Sequence, residues 1–491
     1  MLNHLPILQV IVPLLGAPAC LILGRAKLAW VFALLVSTAA FLISCQLLSE
    51  VYAQGPLSYE LGGWAAPWGI EYRIDLLNGW LLFIVSLSST VSLVAAQTSI
   101  SNEIPGEKQL FFYVAWLLCL AGLLGILATG DAFNVFVFLE VSSLSTYTLI
   151  SLGKQRQALW SAFRYLIMGT IGATFILIGI GFMYMMTGTL NMADLSERLP
   201  AASSSYTVFA AYAFVVVGIG LKLAMFPLHF WLPNAYTFAP SIVTAFLAAS
   251  STKVAIYLLI RFTYSVFDSD LRSAGLPLPE ILIALGMIAV FAGSTVAIYQ
   301  SNIKRAIAYS SVGQIGYMIV GLGIGGLLGL QATLLHLFNH ALMKAALFLS
   351  LAAMAFRLGS TQLKDLYGLG QRMPITAFSF VVGGLSLIGV PLTVGFISKW
   401  YLVSAAVADG RWPLALLVVL GSLLAIAYIW RVVEAMYFKP SEEGSPKGEA
   451  PLMMLLPLWV LIAANLYFGI DTRIPLAITA DAARSLLEVV Q

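Results

Sequence analysis

The residues of this 491-residue chain best placed to do chemistry are the ionisable ones set inside long apolar runs. Seven basic residues lie in such runs, Arg164, Lys222, Lys253, Arg261, Lys344, Lys399 and Arg431, and only Glu140 and Glu434 are acids well inside them. A charge at the centre of a bilayer costs at least roughly 2.5 to 3.5 kcal/mol, so each one marks a functional site unless its stem can reach the interface. Arg164, Arg261, Arg431 and Glu434 stand nearer helix ends, where they can snorkel. Glu140, Lys222, Lys253, Lys344 and Lys399 stand deep.

Glu140 follows Asp131-Ala-Phe-Asn-Val-Phe-Val-Phe-Leu and precedes Val-Ser-Ser, so it sits mid-helix beside hydroxyls, and Lys222 falls at similar depth in a later run. An acid and a lysine so placed are expected to pair. Pairing favours both charged forms and removal from water favours both neutral ones, so a pair poised between those effects can exchange a proton when a nearby charge changes. The alternative is a static ion pair, but buried pairs stabilise poorly compared with apolar packing, which favours a transport role.

A third run reads His336-Leu-Phe-Asn-His340-Ala-Leu-Met-Lys344. The i, i+4, i+8 spacing puts all three groups on one helical face, and histidine can take and release protons near neutral pH. Two histidines at i, i+4 can also bind a metal, or serve as satisfied core residues. His4 and His229 are the only other histidines and no cysteine or carboxylate obviously converges, so a proton relay is the favoured reading, and neither metal nor cofactor is expected. Lys253, in Ser250-Ser251-Thr252-Lys253, is expected between the Glu140/Lys222 pair and the histidine face, with Lys399 closing the series; sequence does not specify their lateral order.

The elements that must position these groups are membrane helices. Hydrophobic residues make up 60% of the chain and charged residues 10%, against roughly 25% charged in a soluble domain. Runs of the roughly 20 apolar residues needed to cross a bilayer recur near 4–24, 28–50, 75–99, 110–128, 131–152, 161–187, 205–231, 241–263, 279–299, 306–326, 330–355, 374–403, 412–438 and 452–470. The first lacks a basic n-region and a small-residue cleavage site, and reads as a retained helix. Cys20, Cys45 and Cys119 fall inside helices without metal-ligand spacing and read as packing residues. Twelve basic residues, from Arg25 to Lys447, fall in loops after odd-numbered spans, against six on the other side, Arg73, Arg198, Arg272, Arg411, Arg473 and Arg484. That bias places both termini on the non-cytoplasmic face. The polar stretch 439–450, with Pro440, Glu442, Glu443, Gly444 and Pro446, reads as a flexible surface loop.

A weak internal echo links Gly188-Thr-Leu-Asn-Met-Ala-Asp194-Leu195 to Gly359-Ser-Thr-Gln-Leu-Lys-Asp365-Leu366, 171 positions later. An offset of five helices puts the two copies on opposite sides of the membrane, the relation of inverted repeats. The seventh span holds Lys222 and Pro227, and the twelfth holds Gly389, Pro391, Gly395 and Lys399, so corresponding helices are both interrupted. Freed backbone groups are tolerated in a membrane only where protein or water satisfies them, and paired interruptions point to a transport site. The expected organisation is one polytopic domain with a three-helix segment at 1–108, a first repeat at 109–263, a second at 279–438, and a terminal helix and tail at 452–491.

Four segments carry a resemblance to a known family: Gly220-Leu-Lys222-Leu-Ala-Met-Phe-Pro227-Leu-His229-Phe-Trp-Leu-Pro233-Asn234-Ala-Tyr236, Lys304-Arg-Ala-Ile-Ala-Tyr309-Ser-Ser, His336 to Lys344, and Gly395-Phe-Ile-Ser-Lys399-Trp. They resemble the antiporter-like subunits shared by Mrp-type Na+/H+ antiporters, respiratory complex I and membrane-bound hydrogenases, strongest over 131–400. The resemblance implies an all-α integral membrane fold of about fourteen helices, two inverted five-helix repeats, broken helices 7 and 12, and a hydrophilic axis across the membrane plane. It assigns Glu140 and Lys222 to a switch pair, Lys253 to a bridge, the His336, His340 and Lys344 face to a central relay, and Lys399 to the terminal position.

Asn234 and Lys399 resemble the Mrp D type, whereas complex I subunits usually carry aspartate and glutamate there. The chain ends soon after the fourteenth span, without the long lateral helix of the Mrp A type. The implied function is proton translocation within a monovalent cation (Na+)/H+ antiporter in a bacterial cell membrane, with other membrane subunits, protons, Na+ and lipid as partners and no nucleic acid. The alternative is a proton-pumping subunit of an NADH dehydrogenase-like or hydrogenase assembly. No Rossmann, Walker or iron-sulfur cysteine motif is present, so the chain is expected to carry no redox or ATP chemistry and to be a transport subunit, not an enzyme.

Overall fold

A computed structural model describes residues 4–202, 205–267, 277–441 and 446–488. Arg272, and Glu442, Glu443 and Gly444 of the polar loop, lie outside the described residues. Among those described, thirteen helices are long and apolar enough to cross a membrane, and two shorter apolar helices, Pro374–Ile388 and Val394–Ala408, together make a fourteenth crossing. We number them α1 (Leu5–Leu23), α2 (Ala26–Gln54), α3 (Leu76–Glu103), α4 (Gly106–Ala128), α5 (Ala132–Ser151), α6 (Gln157–Thr187), α7a (Tyr206–Leu223), α7b (Trp231–Phe238), α8a (Ser241–Ala249), α8b (Ser251–Ile260), α9 (Leu278–Ile298), α10 (Ile303–Ile324), α11 (Gly326–Leu358), α12a (Pro374–Ile388), α12b (Val394–Ala408), α13 (Trp412–Tyr437) and α14 (Leu452–Ile470), followed by α15 (Arg473–Glu488). Between α2 and α3 the strands β1 (Leu57–Glu60) and β2 (Glu71–Ile74) form an antiparallel hairpin.

Helices close their own backbone hydrogen bonds, the condition for crossing hydrocarbon. The outer helices turn large apolar residues outward, such as Leu42, Leu144, Trp160 and Leu456. By contrast α11 is buried from Gly329 to Met354. It is the central post, touching α3, α8a, α10, α12a, α12b, α14 and α15, with Gln331, His336, Asn339, His340 and Lys344 buried among its apolar residues.

The repeat expected from the 171-residue echo is visible in hydrogen bonds. Asp131 bridges Asn191 and Asn302 bridges Gln362, the second pair 171 positions after the first. Ala132 N donates to Leu190 O at 2.8 Å and Ile303 N to Thr361 O at 2.9 Å; Met192 N donates to Gly130 O and Leu363 N to Ser301 O, both at 2.8 Å. Asp131 and Asn302 also cap α5 and α10, accepting from Asn134 N and Arg305 N. Each position in one set is the other plus 171, with odd-numbered α5 answered by even-numbered α10, so the copies run in opposite senses.

The span expected at 205–231 divides into α7a and α7b, and the one at 374–403 into α12a and α12b. Ala224 and Leu392 take positive φ (59° and 72°), and Gly389 has φ 94°, so neither helix can continue in register. The freed Leu221 carbonyl accepts from Trp231 Nε1 at 2.9 Å. A third interruption, at Ser250 (φ −123°, ψ −61°), separates α8a from α8b. Sequence reasoning missed it because no proline or glycine marks it; the only cue was the hydroxyl run Ser250-Ser251-Thr252.

Some basic residues behave otherwise than their positions suggested. Arg261 is ion-paired, its Nη2 2.7 Å from Asp75 Oδ2. Lys304, counted as a loop charge, is buried and donates to Ala239 O at 2.6 Å.

Candidate functional site

Glu140 and Lys222 do not form the expected ion pair. Lys222, in the last turn of α7a, is buried and donates from Nζ to Ser143 Oγ at 2.5 Å. Glu140 lies one turn earlier on α5, on the stripe that also carries the exposed Val137 and Leu144. The helix therefore turns Ser143, not Glu140, toward the lysine, while the Glu140 charge still bears on Lys222 from nearby. Glu140 Oε1 is buried without a protein partner. Space for the lysine comes from Gly169 of α6, where a Cβ would collide with Tyr147 Oη and stand 3.4 Å from Lys222 Nζ.

Lys253 is fully buried in the first turn of α8b and donates to Ala248 O, a carbonyl at the end of α8a, and to Thr252 Oγ1 at 3.5 Å. A cavity of about 30 Å³ lies between α5, α7a and α8b, with Ser143, Tyr165, Lys222 and Ser251 in its wall. Leu123, Ile126, Leu139, Val254, Ala255 and Leu258 also line it, so Lys222 and the turn bearing Lys253 share a small gap to which Ser143, Tyr165 and Ser251 contribute hydroxyls.

On α11 the expected face forms. The His336 and His340 rings are parallel within 7° at 6.0 Å. His336 Nδ1 is 2.8 Å from Ser398 Oγ, while its Nε2 and both nitrogens of His340 are buried without a protein partner. Lys344 Nζ donates to Ile307 O at 2.8 Å and Ser310 Oγ at 2.6 Å on α10. Lys253 acts electrostatically on His336, His340 and Lys344, and Lys399 on His336. No group of three or more metal-ligating side chains occurs among the described residues.

Lys399 closes the series at the break in α12. Its Nζ donates to Leu387 O at 2.9 Å and Ile388 O at 2.8 Å, and sits 5.1 Å from the Tyr317 ring centroid. Lys253 and Lys399 thus share one device: an amine set against the carbonyl end of a half-helix, where the macrodipole and the freed carbonyls favour a cation. Among the described residues no carboxylate lies at salt-bridge distance from either amine. Tyr165 and Tyr317 carried no signal in the sequence, and Ser143, Ser251, Ser310 and Ser398 stood in the segments that carry charged positions without a partner that spacing could assign.

A family described as NADH:quinone oxidoreductase/Mrp antiporter, transmembrane, matches residues 129–425. The chain belongs to this family. It is 42% identical over 480 residues to the N subunit of an NADH-quinone oxidoreductase of Desulforudis audaxviator, covering 94% of each chain. It is 31% identical over 470 residues to the D subunit of a Na(+)/H(+) antiporter of Alkalihalophilus pseudofirmus, covering 95% of this chain and 94% of that one. A solved chain of the membrane-bound sulfane sulfur reductase, an archaeal respiratory membrane complex, superimposes with a TM-score of 0.91 at 29% identity over 99% of this chain and 98% of that one. The protein is therefore a multi-pass, antiporter-like membrane subunit, and its structural relatives work inside multisubunit complexes.

Proposed function

We propose that this antiporter-like subunit moves protons through Glu140, Lys222, Lys253, the face formed by His336, His340 and Lys344, and Lys399 as part of a multisubunit Na+/H+ antiporter in a bacterial cell membrane, with both termini on the non-cytoplasmic side. The observation that carries the reading is the succession of buried basic groups across both repeats, its four lysines held by carbonyls or hydroxyls and, among the described residues, none at salt-bridge distance from a carboxylate. Charge on one amine repels charge on the next, so protonation at one position biases its neighbour and a cation arriving at one end can drive a proton out at the other. Asn234 and Lys399, of the Mrp D type, and the 31% identity to a Na(+)/H(+) antiporter chain support the sodium-coupled form.

A second reading, proton pumping powered by a redox module elsewhere, is favoured by the 42% identity to an NADH-quinone oxidoreductase chain. The two differ in energy source and share the residues. Everted vesicles carrying the complete complex distinguish them: a Na+ pulse is expected to drive proton exchange, and Glu140→Ala and Lys222→Ala are each expected to abolish it while the complex still assembles. Normal exchange by either assembled variant overturns the path. Proton movement that follows NADH and ignores Na+ selects the second reading.

A further inference from the structure

The cavity beside β2 lies outside the series of lysines and histidines but approaches it. It measures about 480 Å³ and is walled by the loops that precede α3 and α5, the short helix Met192–Arg198, the last turns of α8 and the end of α15. At about 30 Å³ per water, it has room for on the order of ten waters. Its polar lining includes Glu71, Arg73, Asp75 and Glu197, and its inner wall includes Tyr257.

Tyr257 lies four residues after Lys253 on α8b, on the same helical face and about 6 Å along the axis. Its side chain is 1% exposed. The hydroxyl donates to Leu127 O at 3.3 Å and accepts from Arg261 Nε at 3.2 Å, with the Asn78 side chain a further donor to it. Arg261 in turn is held by Asp75, its Nη2 2.7 Å from Oδ2, tying the end of α8 to the start of α3. One phenol and one ion pair therefore separate the bridging lysine from a solvent-sized space on the face that carries the chain termini.

We infer that this cavity is the port through which Lys253 exchanges protons with that side of the membrane, with Tyr257 as its inner wall and the Arg261–Asp75 pair as the contact that holds it shut. The inference rests on the proposed proton path. When the pair parts, Lys253 swings from the Ala248 carbonyl toward Tyr257. Its ammonium gives a proton to an intervening water, that water passes a proton to the Tyr257 oxygen on the lone pair that Arg261 vacates, the phenol's own proton leaves in the same step from Leu127 O to cavity water, and the result is a neutral lysine and an unchanged phenol.

Two arms test this in the complete complex with Cys45 replaced by alanine. In the first, Tyr257→Cys is treated with a membrane-impermeant trimethylammonium methanethiosulfonate from either side. Labelling is expected only from the termini side and about tenfold faster with Asp75→Asn added, the scale of losing one charge-assisted hydrogen bond; asparagine keeps the α3 cap. In the second, Ser196→Cys at the cavity wall is labelled with that reagent or with methyl methanethiosulfonate. The bulky adduct is expected to slow proton exchange and the small one to leave it unchanged, with Thr472→Cys, outside the cavity, indifferent to both. Labelling of Tyr257→Cys from the opposite side, no acceleration by Asp75→Asn, or exchange that ignores the bulky adduct each overturns the port. Labelling needs no transport, so an accessible Tyr257→Cys beside a parent complex, with Tyr257 intact, that moves no protons overturns the proposed function and leaves the water-filled port standing.

Discussion

At the scale of single residues, the decisive contact is Lys222 Nζ to Ser143 Oγ, with Glu140 one turn away. If the hydroxyl carries the interaction between the two charges, Ser143→Ala leaves both in place but removes their intermediary. Vesicle exchange is expected to fall about tenfold, the scale of one hydrogen bond to a charged group, against complete loss for Lys222→Ala; activity equal to the parent would remove Ser143 from the path. Lys399→Ala is expected to impair exchange, because the amine bridges the carbonyl end of α12a. Arg411→Ala, close in sequence, is not: its contacts to Asp409 and Glu280 are exposed ion pairs, each worth about 0–1 kcal/mol. Equal effects of the two substitutions in the same assay would show that burial at the break is irrelevant. For the histidines, a relay requires titration whereas packing requires only shape. His336→Gln and His340→Gln are expected to slow exchange or move its pH optimum in an assembled complex, with chelator reproducing neither change. Unchanged profiles in both variants leave the lysines as the only carriers.

At the scale of elements, the helix breaks matter because they expose carbonyls where cations are needed. In an unbroken helix the Ala248, Leu387 and Ile388 carbonyls would accept from backbone N–H groups four residues on. The interruptions at Ser250 and Gly389 turn those acceptors toward Lys253 and Lys399. The paired caps Asp131 and Asn302 give an element-scale test of the repeat. Asp131→Ala and Asn302→Ala should each cost about 1 kcal/mol of stability, and the double variant should show the sum, since the caps sit in different repeats without shared partners. Thermal melting of the purified complex reads this out; a strongly non-additive pair would mean that the two loops are coupled through the bundle.

At the scale of the whole molecule, the central burial of α11 places the histidine face where both repeats can reach it. Lys253 approaches from the first repeat, and Ser398 and Lys399 from the second. The outward stripe of α5, with the exposed Val137 and Leu144 to either side of a Glu140 whose Oε1 is buried, suits a chain whose structural relatives work beside other membrane subunits.

The sequence by itself determined the membrane class, the number of crossings, the two proline- or glycine-marked breaks and the identity of the deep charges. Each of these depends on local composition or periodicity: apolar length sets a span, and a missing N–H or a positive φ interrupts it. The 171-residue echo was legible for the same reason, since the repeated loops share cap and turn residues at matching positions. Tertiary structure alone decided which groups meet. The rotation of α5 about its axis, which presents Ser143 and not Glu140 to Lys222, depends on how α6 and α7 pack against it, and a shift of one residue turns a helix by about 100°. The pairing of Arg261 with Asp75 joins residues 186 positions apart. The break at Ser250 likewise lacks a local signal, because its freed carbonyl is made tolerable by a lysine that only the fold of α8 brings to it.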